Sequence, residues 1–185
     1  MLVLASAESF LLAVFGTRIA EVLPDLAAMR RILFSHEHTW IALAEGEVAG
    51  ALLGYTGGEK AAEDFRTGMA LLRILRWDML RRMRRLLLVQ KALGDLGMNE
   101  LYVSNVAVHE RFRGRGVGSA LITHAEKEAA RAGSAGLALD VETDNLQAIR
   151  LYERLGFRTR SRTRALKMDG RSFSFFRMEK ALRSQ

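Results

Sequence analysis

The chain has 185 residues, 49% of them hydrophobic and 26% charged, enough to bury one core of its own. A formal net charge of +7 favours anionic partners such as nucleotides, CoA, nucleic acid or an acidic surface. Cysteine is absent, which excludes disulfides, thiolate metal sites and a Cys nucleophile, and no apolar run approaches the roughly 18 residues that a transmembrane helix needs. The start lacks a basic n-region and Glu8 interrupts its apolar stretch, so no signal peptide is read and a cytoplasmic protein is expected.

Residues 1–5 read as an edge strand, and Ser6 as the cap of a helix with Glu8 in its first turn and Phe10, Leu11, Val14 and Phe15 at helical spacing. A second helix is expected over 26–34, after Pro24. Two strand-like runs, 39–44 and 48–55, flank Glu45-Gly46-Glu47 and predict a hairpin that ends at Gly57-Gly58. Residues 64–93 predict a long helical segment broken once near Trp77 and stopped by Gly94. Leu72, Leu75, Met79, Met83, Leu86 and Leu93 share one face, with Arg66, Arg73, Arg81, Arg84 and Lys91 opposite. This pattern fits a helix packed on the core with its far side solvated, a pocket wall or a homodimer face. It also fits a basic helix that docks on a membrane or nucleic acid.

Further on, the spacing predicts a strand over 101–108, a helix over 116–131, a strand over 136–142 and a short helix over 145–155 stopped by Gly156. Late strands over 157–163 and 172–178 are expected around an Asp169-Gly170 turn. With hairpins at both ends, this order predicts a single α/β domain over 1–185 with a mixed sheet and an inserted helical segment at about 60–97.

The residues that carry chemistry lie in the second half. Arg113-Gly114-Arg115-Gly116-Val117-Gly118-Ser119 runs from a strand into a helix. Glycines there let an anion approach the backbone amides, and the helix start adds free N–H groups and the positive end of its dipole. Arg111, Arg113 and Arg115 add positive potential; the bland alternative is a tight strand-to-helix turn. Asn145 suits a helix N-cap. Tyr152 lies one turn after Ala148 and two after Asn145, on one helix face, and is either a core tyrosine or a phenol able to protonate a leaving group.

Three features together resemble the GNAT superfamily of N-acyltransferases. The first is the Arg113–Gly118 hexad, which fits the pattern Arg/Gln-x-x-Gly-x-Gly/Ala. The second is Ser104-Asn105-Val106-Ala107-Val108, similar to the family's fourth strand. The third is Asn145-x-x-Ala148-x-x-x-Tyr152-x-x-x-Gly156-Phe157, similar to its second signature. The resemblance covers 100–163 closely. It implies a mixed, mostly antiparallel sheet with helices on both faces and with strands 4 and 5 splayed apart, commonly around a bulge in the fourth. It also implies acetyl-CoA (coenzyme A) as co-substrate and an amine acceptor, a small molecule or a peptide, with no metal and no nucleic acid.

On that resemblance, Arg113, Gly114, Arg115, Gly116, Val117, Gly118 and Ser119 would hold the pyrophosphate. Val106, Ala107 and Val108 would pair with the pantetheine arm, and Asn145, Ala148 and Tyr152 would line it. The Val106 amide would hold the thioester oxygen and Tyr152 would serve as general acid. Tyr102 occupies the place where some relatives carry a glutamate base, which leaves Glu100, Glu142, Ser104 through water, or bulk-connected water as candidates. With no cysteine, transfer is expected to be direct, in a ternary complex. A catalytically silent CoA-binding domain is the rival reading. His36-x-His38 reads as a solvated loop rather than a metal pair, and His109 and His124 as surface residues.

Overall fold

The computed structural model describes residues 7–93 and 96–182. The strand expected over 1–5, the Ser6 cap and the Gly94 stop lie outside those residues. Helices α1 (Glu8–Phe15) and α2 (Ile19–Ala28) precede a hairpin of β1 (Thr39–Ala44) and β2 (Glu47–Thr56). Helices α3 (Gly57–Leu75) and α4 (Trp77–Leu93) follow, then β3 (Glu100–Val108), α5 (Val117–Arg131), β4 (Gly136–Glu142) and α6 (Leu146–Arg154). The chain ends in β5 (Arg158–Arg162), β6 (Leu166–Met168), β7 (Arg171–Phe173) and β8 (Phe175–Ala181).

Six strands form one sheet in the order β1-β2-β3-β4-β8-β5, in which only β3 and β4 run parallel. A parallel neighbour needs a crossover, and here α5 supplies it. Leu121, Ile122, Ala125 and Ala129 of α5 are buried against Leu52, Leu101, Val103, Leu137 and Leu139 of the sheet, with Ala148 and Leu151 of α6 packed alongside. A second buried cluster joins α1 and α2 to Leu71, Leu75 and Val89 of α3 and α4 and to Met168, Phe173 and Phe175. Phe10 meets Phe173 and Phe175 edge-on, with centroids 5.6 and 4.9 Å away.

Local chemistry explains where the elements depart from the sequence reading. Helix α2 starts at Ile19 and carries Pro24 inside it, and 29–34 is not helical, so the helix expected after the proline lies before and across it. Gly57 and Gly58 open α3 instead of closing a strand. Thr56 accepts from the Glu59 amide at 3.1 Å while the Glu59 carboxylate accepts from the Thr56 amide at 2.7 Å, a reciprocal cap that starts the helix seven residues before Asp64. The break falls at Arg76, which adopts φ 50° just before Trp77. The β1–β2 turn is the two residues Glu45 and Gly46, with φ of 56° and 76°, a mirror-image turn that suits strand twist. Asp169 and Gly170 have similar angles, yet their turn joins β6 to β7 in a separate two-stranded sheet, while β5 pairs with β8. His36 and His38 form a short 3₁₀ turn, and His38 is buried with its Nε2 2.8 Å from Glu63 rather than solvated.

Two arginines of α4 turn inward. Arg82 and Arg85 donate to the Ala13 carbonyl at 3.1 and 2.8 Å, satisfying an orphan acceptor at the C-terminal end of α1 where cations are favoured. Arg85 also forks onto both Asp169 oxygens, at 2.8 and 2.7 Å, and its hydrogen bonds hold that carboxyl below the usual range. The polar face of this helix is therefore partly structural.

The start of α3 also sits hard against the loop that leads into β3. A Cβ on Gly57 would lie 2.3 Å from the Gly97 carbonyl oxygen and 2.7 Å from Met98 Cα, whereas one on Gly58 would meet only Thr56 Oγ1, at 3.9 Å. Thermal melting is expected to show Gly57→Ala less stable by about 1–3 kcal/mol. Gly58→Ala should be unchanged or more stable by up to ~1 kcal/mol.

Candidate functional site

The site arises where two paired strands part. β3 and β4 stay in register from Glu100–Gly136 to Val103–Leu139 and then separate. On its other side β3 stays bonded to β2, but the register jumps between Leu53–Asn105 and Gly54–Val103, so Ser104 has no partner and forms a bulge. A bulge bends its strand and increases the local twist. Here it coincides with the last β3–β4 pair, as the resemblance implies for the family's fourth strand. Beyond it, among the described residues, no strand pairs with that edge of β3 from Ser104 to Val108.

Two cavities occupy the gap. The first, about 430 Å³, is lined by Ser104, Asn105 and Val106 of β3 and Leu139, Asp140, Val141 and Glu142 of β4, with Ser9 and Phe175 on one side and Asn145, Ala148 and Tyr152 on the other. The second, about 550 Å³, is lined by Val106, Ala107, Val108, Arg113, Gly114, Gly116, Val117, Gly118 and Ser119, with Asn145, Gln147, Ala148, Tyr152 and Arg154 across from them. Val106, Asn145, Ala148 and Tyr152 border both cavities. The residues assigned from the sequence to the cofactor and to the acid role thus border one cleft, with the exception of Arg115.

Arg115 turns toward the β1–β2 turn instead. Its Nη1 donates to Glu45 at 2.7 Å, and Arg111 donates to Glu47 at 2.9 and 3.0 Å and to Glu45 at 3.1 Å. Both guanidinium groups also lie over the Phe112 ring, 5.2 and 5.6 Å from its centroid, and Phe112 is buried. The extra positive potential expected from Arg111 and Arg115 is therefore largely neutralised, and the two residues brace the loop. Arg113 is the loop arginine that borders the cleft, joined there by Arg154 of α6. Gly114 and Gly116 have φ of 74° and 81°, and a Cβ at either would point into open space, so backbone conformation accounts for glycine at both. Gly116 then caps α5, leaving the first amides of that helix without intrahelical acceptors beside the cavity.

Asn145 caps α6 by accepting from the Ala148 amide at 3.1 Å while also bordering both cavities. Tyr152 is buried, and burial pushes its phenol up to about 12. Tyr152 borders both cavities, and among the described residues no group hydrogen-bonds its hydroxyl.

A polar cluster that sequence reasoning missed lies behind the first cavity. Asp140 accepts from the Tyr102 hydroxyl at 2.8 Å and from Arg177 Nε and Nη2 at 3.0 and 2.8 Å. Arg177 Nη2 also donates to the Leu93 carbonyl at 2.6 Å, tying the end of α4 to the sheet. The signal was available: Asp140 interrupts the buried run Leu137–Val141 and Arg177 follows Phe175-Phe176, and a charge inside a central strand is rarely left unpaired. Of the base candidates, Glu100 sits at the far end of β3 and accepts from the Gly97 amide at 3.1 Å, away from the cleft. Glu142 borders the cavity, and burial, then the nearby Asp144, raise its carboxyl above the usual value.

The sequence matches the Acetyltransferase (GNAT) family over residues 10–157. The chain belongs to that family. It is 38% identical over 66 residues to the [ribosomal protein bS18]-alanine N-acetyltransferase of Escherichia coli (strain K12), covering 36% of this chain and 45% of the relative. It is 45% identical over 58 residues to GCN5-related N-acetyltransferase 4, chloroplastic, of Arabidopsis thaliana, covering 31% of this chain and 20% of that protein. The matched segments thus span less than half of either relative. Among solved structures, an N-acetyltransferase from Staphylococcus aureus Mu50 superposes with a TM-score of 0.65 at 15% identity, covering 92% of this chain and 85% of that one. A Bacillus subtilis acetyltransferase in complex with CoA gives 0.55 at 15% identity, covering 98% and 89%. At such identities these neighbours establish the GNAT fold.

Breaking the Asp140–Arg177 pair should be costly, because both side chains are largely buried, at 4% and 11% exposure. Asp140→Ala strands the arginine, and denaturant titration is expected to show a loss of about 3–5 kcal/mol.

Proposed function

We propose that the chain transfers an acetyl or short acyl group from acetyl-CoA to a primary amine, directly and within a ternary complex. The observation that carries this reading is the meeting of two cavities at Tyr152, in the gap that the Ser104 bulge opens between β3 and β4. One has the backbone and helix start of a pyrophosphate cradle; the other is bordered by Asp140, whose charge Arg177 meets, and by Glu142 and Asp144, which favour a cationic acceptor. Inside a chain of formal charge +7, that acidic lining marks the acceptor end.

Acetyl-CoA supplies an activated acyl carbon on a thiolate leaving group. Backbone amides from Arg113 to Ser119, with Arg113 and Arg154 alongside, would hold the diphosphate, and the free edge of β3 at Val106 and Val108 would pair with the pantetheine amides as an added strand does. The Val106 amide would donate to the thioester oxygen as negative charge grows on it. Glu142 would take the proton of the attacking ammonium. Its raised carboxyl suits a base, while both oxygens of Asp140 are already engaged by Tyr102 and Arg177. As the N–C bond forms and the C–S bond breaks, Tyr152 would give its proton to the departing sulfur. A phenol held up to about 12 stays protonated and ready at neutral pH. We read the cytoplasm, where acetyl-CoA is made and used, as the compartment.

Free-thiol release with acetyl-CoA and an amine panel tests this. Tyr152→Phe should lower kcat by about 10²–10⁴-fold while leaving the KM for acetyl-CoA within a few-fold. Unchanged turnover would remove the acid role, and no thiol release with any amine would favour a silent CoA-binding domain. The wild-type rate should rise with pH through an acidic limb set by a carboxyl above the ordinary Glu range, because the base must be deprotonated. In Glu142→Gln that limb should vanish along with most of the rate; a limb that persists would place the base elsewhere.

A further inference from the structure

The net charge of this chain is not spread over its surface. Residues 65–93 contain eight Lys and Arg against a single acid, Asp78, a local excess equal to the formal +7 of the whole chain, so the residues outside that stretch balance to zero. Those two helices also carry five of the ten large apolar side chains that are exposed among the described residues. Phe65 is 79% exposed and Leu87 58%, with Met69, Met83 and Leu88 also in solvent.

Helical spacing places these groups on one side of each helix. On α3 the buried residues Thr67, Leu71 and Leu75 fall within one arc, and Phe65, Arg66, Met69 and Arg73 fall on the opposite arc. On α4 the buried Val89 and the inward-bonded Arg82 and Arg85 face the core, and Met83, Arg84, Leu87, Leu88 and Lys91 face away. Arg76, exposed at the break between the helices, adds a further cation. Each helix therefore buries one stripe and presents to solvent a second stripe in which apolar and basic residues alternate.

We infer that this helical pair is a docking face for the surface of an anionic lipid bilayer, on which α3 and α4 lie flat. An interfacial helix needs apolar side chains to enter the acyl boundary and cations to meet the headgroups, and this face offers both. Neither of two other occupants matches it as well. A second copy would bring the same concentrated positive charge against itself, and a nucleic-acid backbone would gain nothing from Met69, Met83, Leu87 and Leu88. The hydrogen bonds of Arg82 and Arg85 to the Ala13 carbonyl of α1, and the Arg85 ion pair with Asp169 of the β6–β7 turn, fix α4 to the core, so its outward face is presented without further folding. This is surface attachment, since no helix of the described residues is long and apolar enough to cross a membrane.

Flotation of the full chain with vesicles tests the inference. Vesicles of equal parts phosphatidylglycerol and phosphatidylcholine should carry the protein upward, and phosphatidylcholine alone should not. Arg73→Gln with Arg84→Gln should weaken partitioning by about tenfold or more, as should Phe65→Ser with Leu87→Ser. Both double variants alter exposed positions, so melting temperature and thiol release with a soluble amine should match wild type. Binding to anionic vesicles that the Phe65/Leu87 pair does not affect would overturn the inference in favour of a polyanion site such as RNA. Absence of flotation would overturn it as well, as would a dimer in sedimentation that this same pair dissolves.

Discussion

The parting of β3 from β4 after Val103–Leu139 is the constraint on which the rest of the molecule depends. A parallel pair ordinarily continues until one strand ends, and an abandoned edge exposes unpaired N–H and C=O groups that demand partners. Here the Ser104 bulge turns β3 while β2 still holds it from the other side, and the edge so exposed faces a cavity rather than bulk surface. The cleft is thus a by-product of strand geometry, available before any side chain is chosen to furnish it. Family membership and structural neighbours place this geometry within the GNAT fold.

What lines the cleft follows from the elements that flank the gap. The crossover from β3 to β4 must begin with a turn and a helix, so the start of α5 and its Gly-rich loop sit at the mouth of the opening. The crossover from β4 to β5 runs through α6, whose inward face carries Ala148 and Tyr152 across from them. Braces from distant segments keep these parts in place. Glu45 and Glu47 of the first hairpin hold the arginines of the loop, and Arg177 of β8 holds Asp140 while reaching the end of α4 through the Leu93 carbonyl. The exposed ion pairs at Glu45 and Glu47 are individually weak. The Asp140–Arg177 pair, with both side chains largely buried, is the stiffer element.

The part of the fold that carries the chemistry was legible because its signals are local. Glycines at positive φ, an Asn cap and a Tyr at helical spacing from it are each decided within a few residues, and together they placed β3, α5, β4 and α6 and the residues that meet at the cleft. The capping box Thr56-Gly57-Gly58-Glu59 was equally local, but the adjacent glycines drew the eye to a strand end and hid it. The strand exchange at the C-terminus was misplaced for another reason: Asp169-Gly170 specifies a turn without specifying which strands it joins. Partners far apart in sequence were out of reach altogether. Arg115 is 70 residues from Glu45 and Arg85 is 84 from Asp169, and nothing in either neighbourhood names the other. The charge of α3 and α4 was visible as a basic face, but only burial separates the arginines that bind α1 from those left to solvent.

The central claim is that the free edge of β3 and the loop before α5 together receive acyl-CoA. Amide chemical-shift mapping during titration with acetyl-CoA reads this residue by residue. The account predicts the largest shifts at Val106, Val108 and Gly114 to Ser119, with a second group at Asn145 and Ala148 on α6 and little change in α3 and α4. Shifts confined to the basic face of those two helices, or none at saturating ligand, would contradict it.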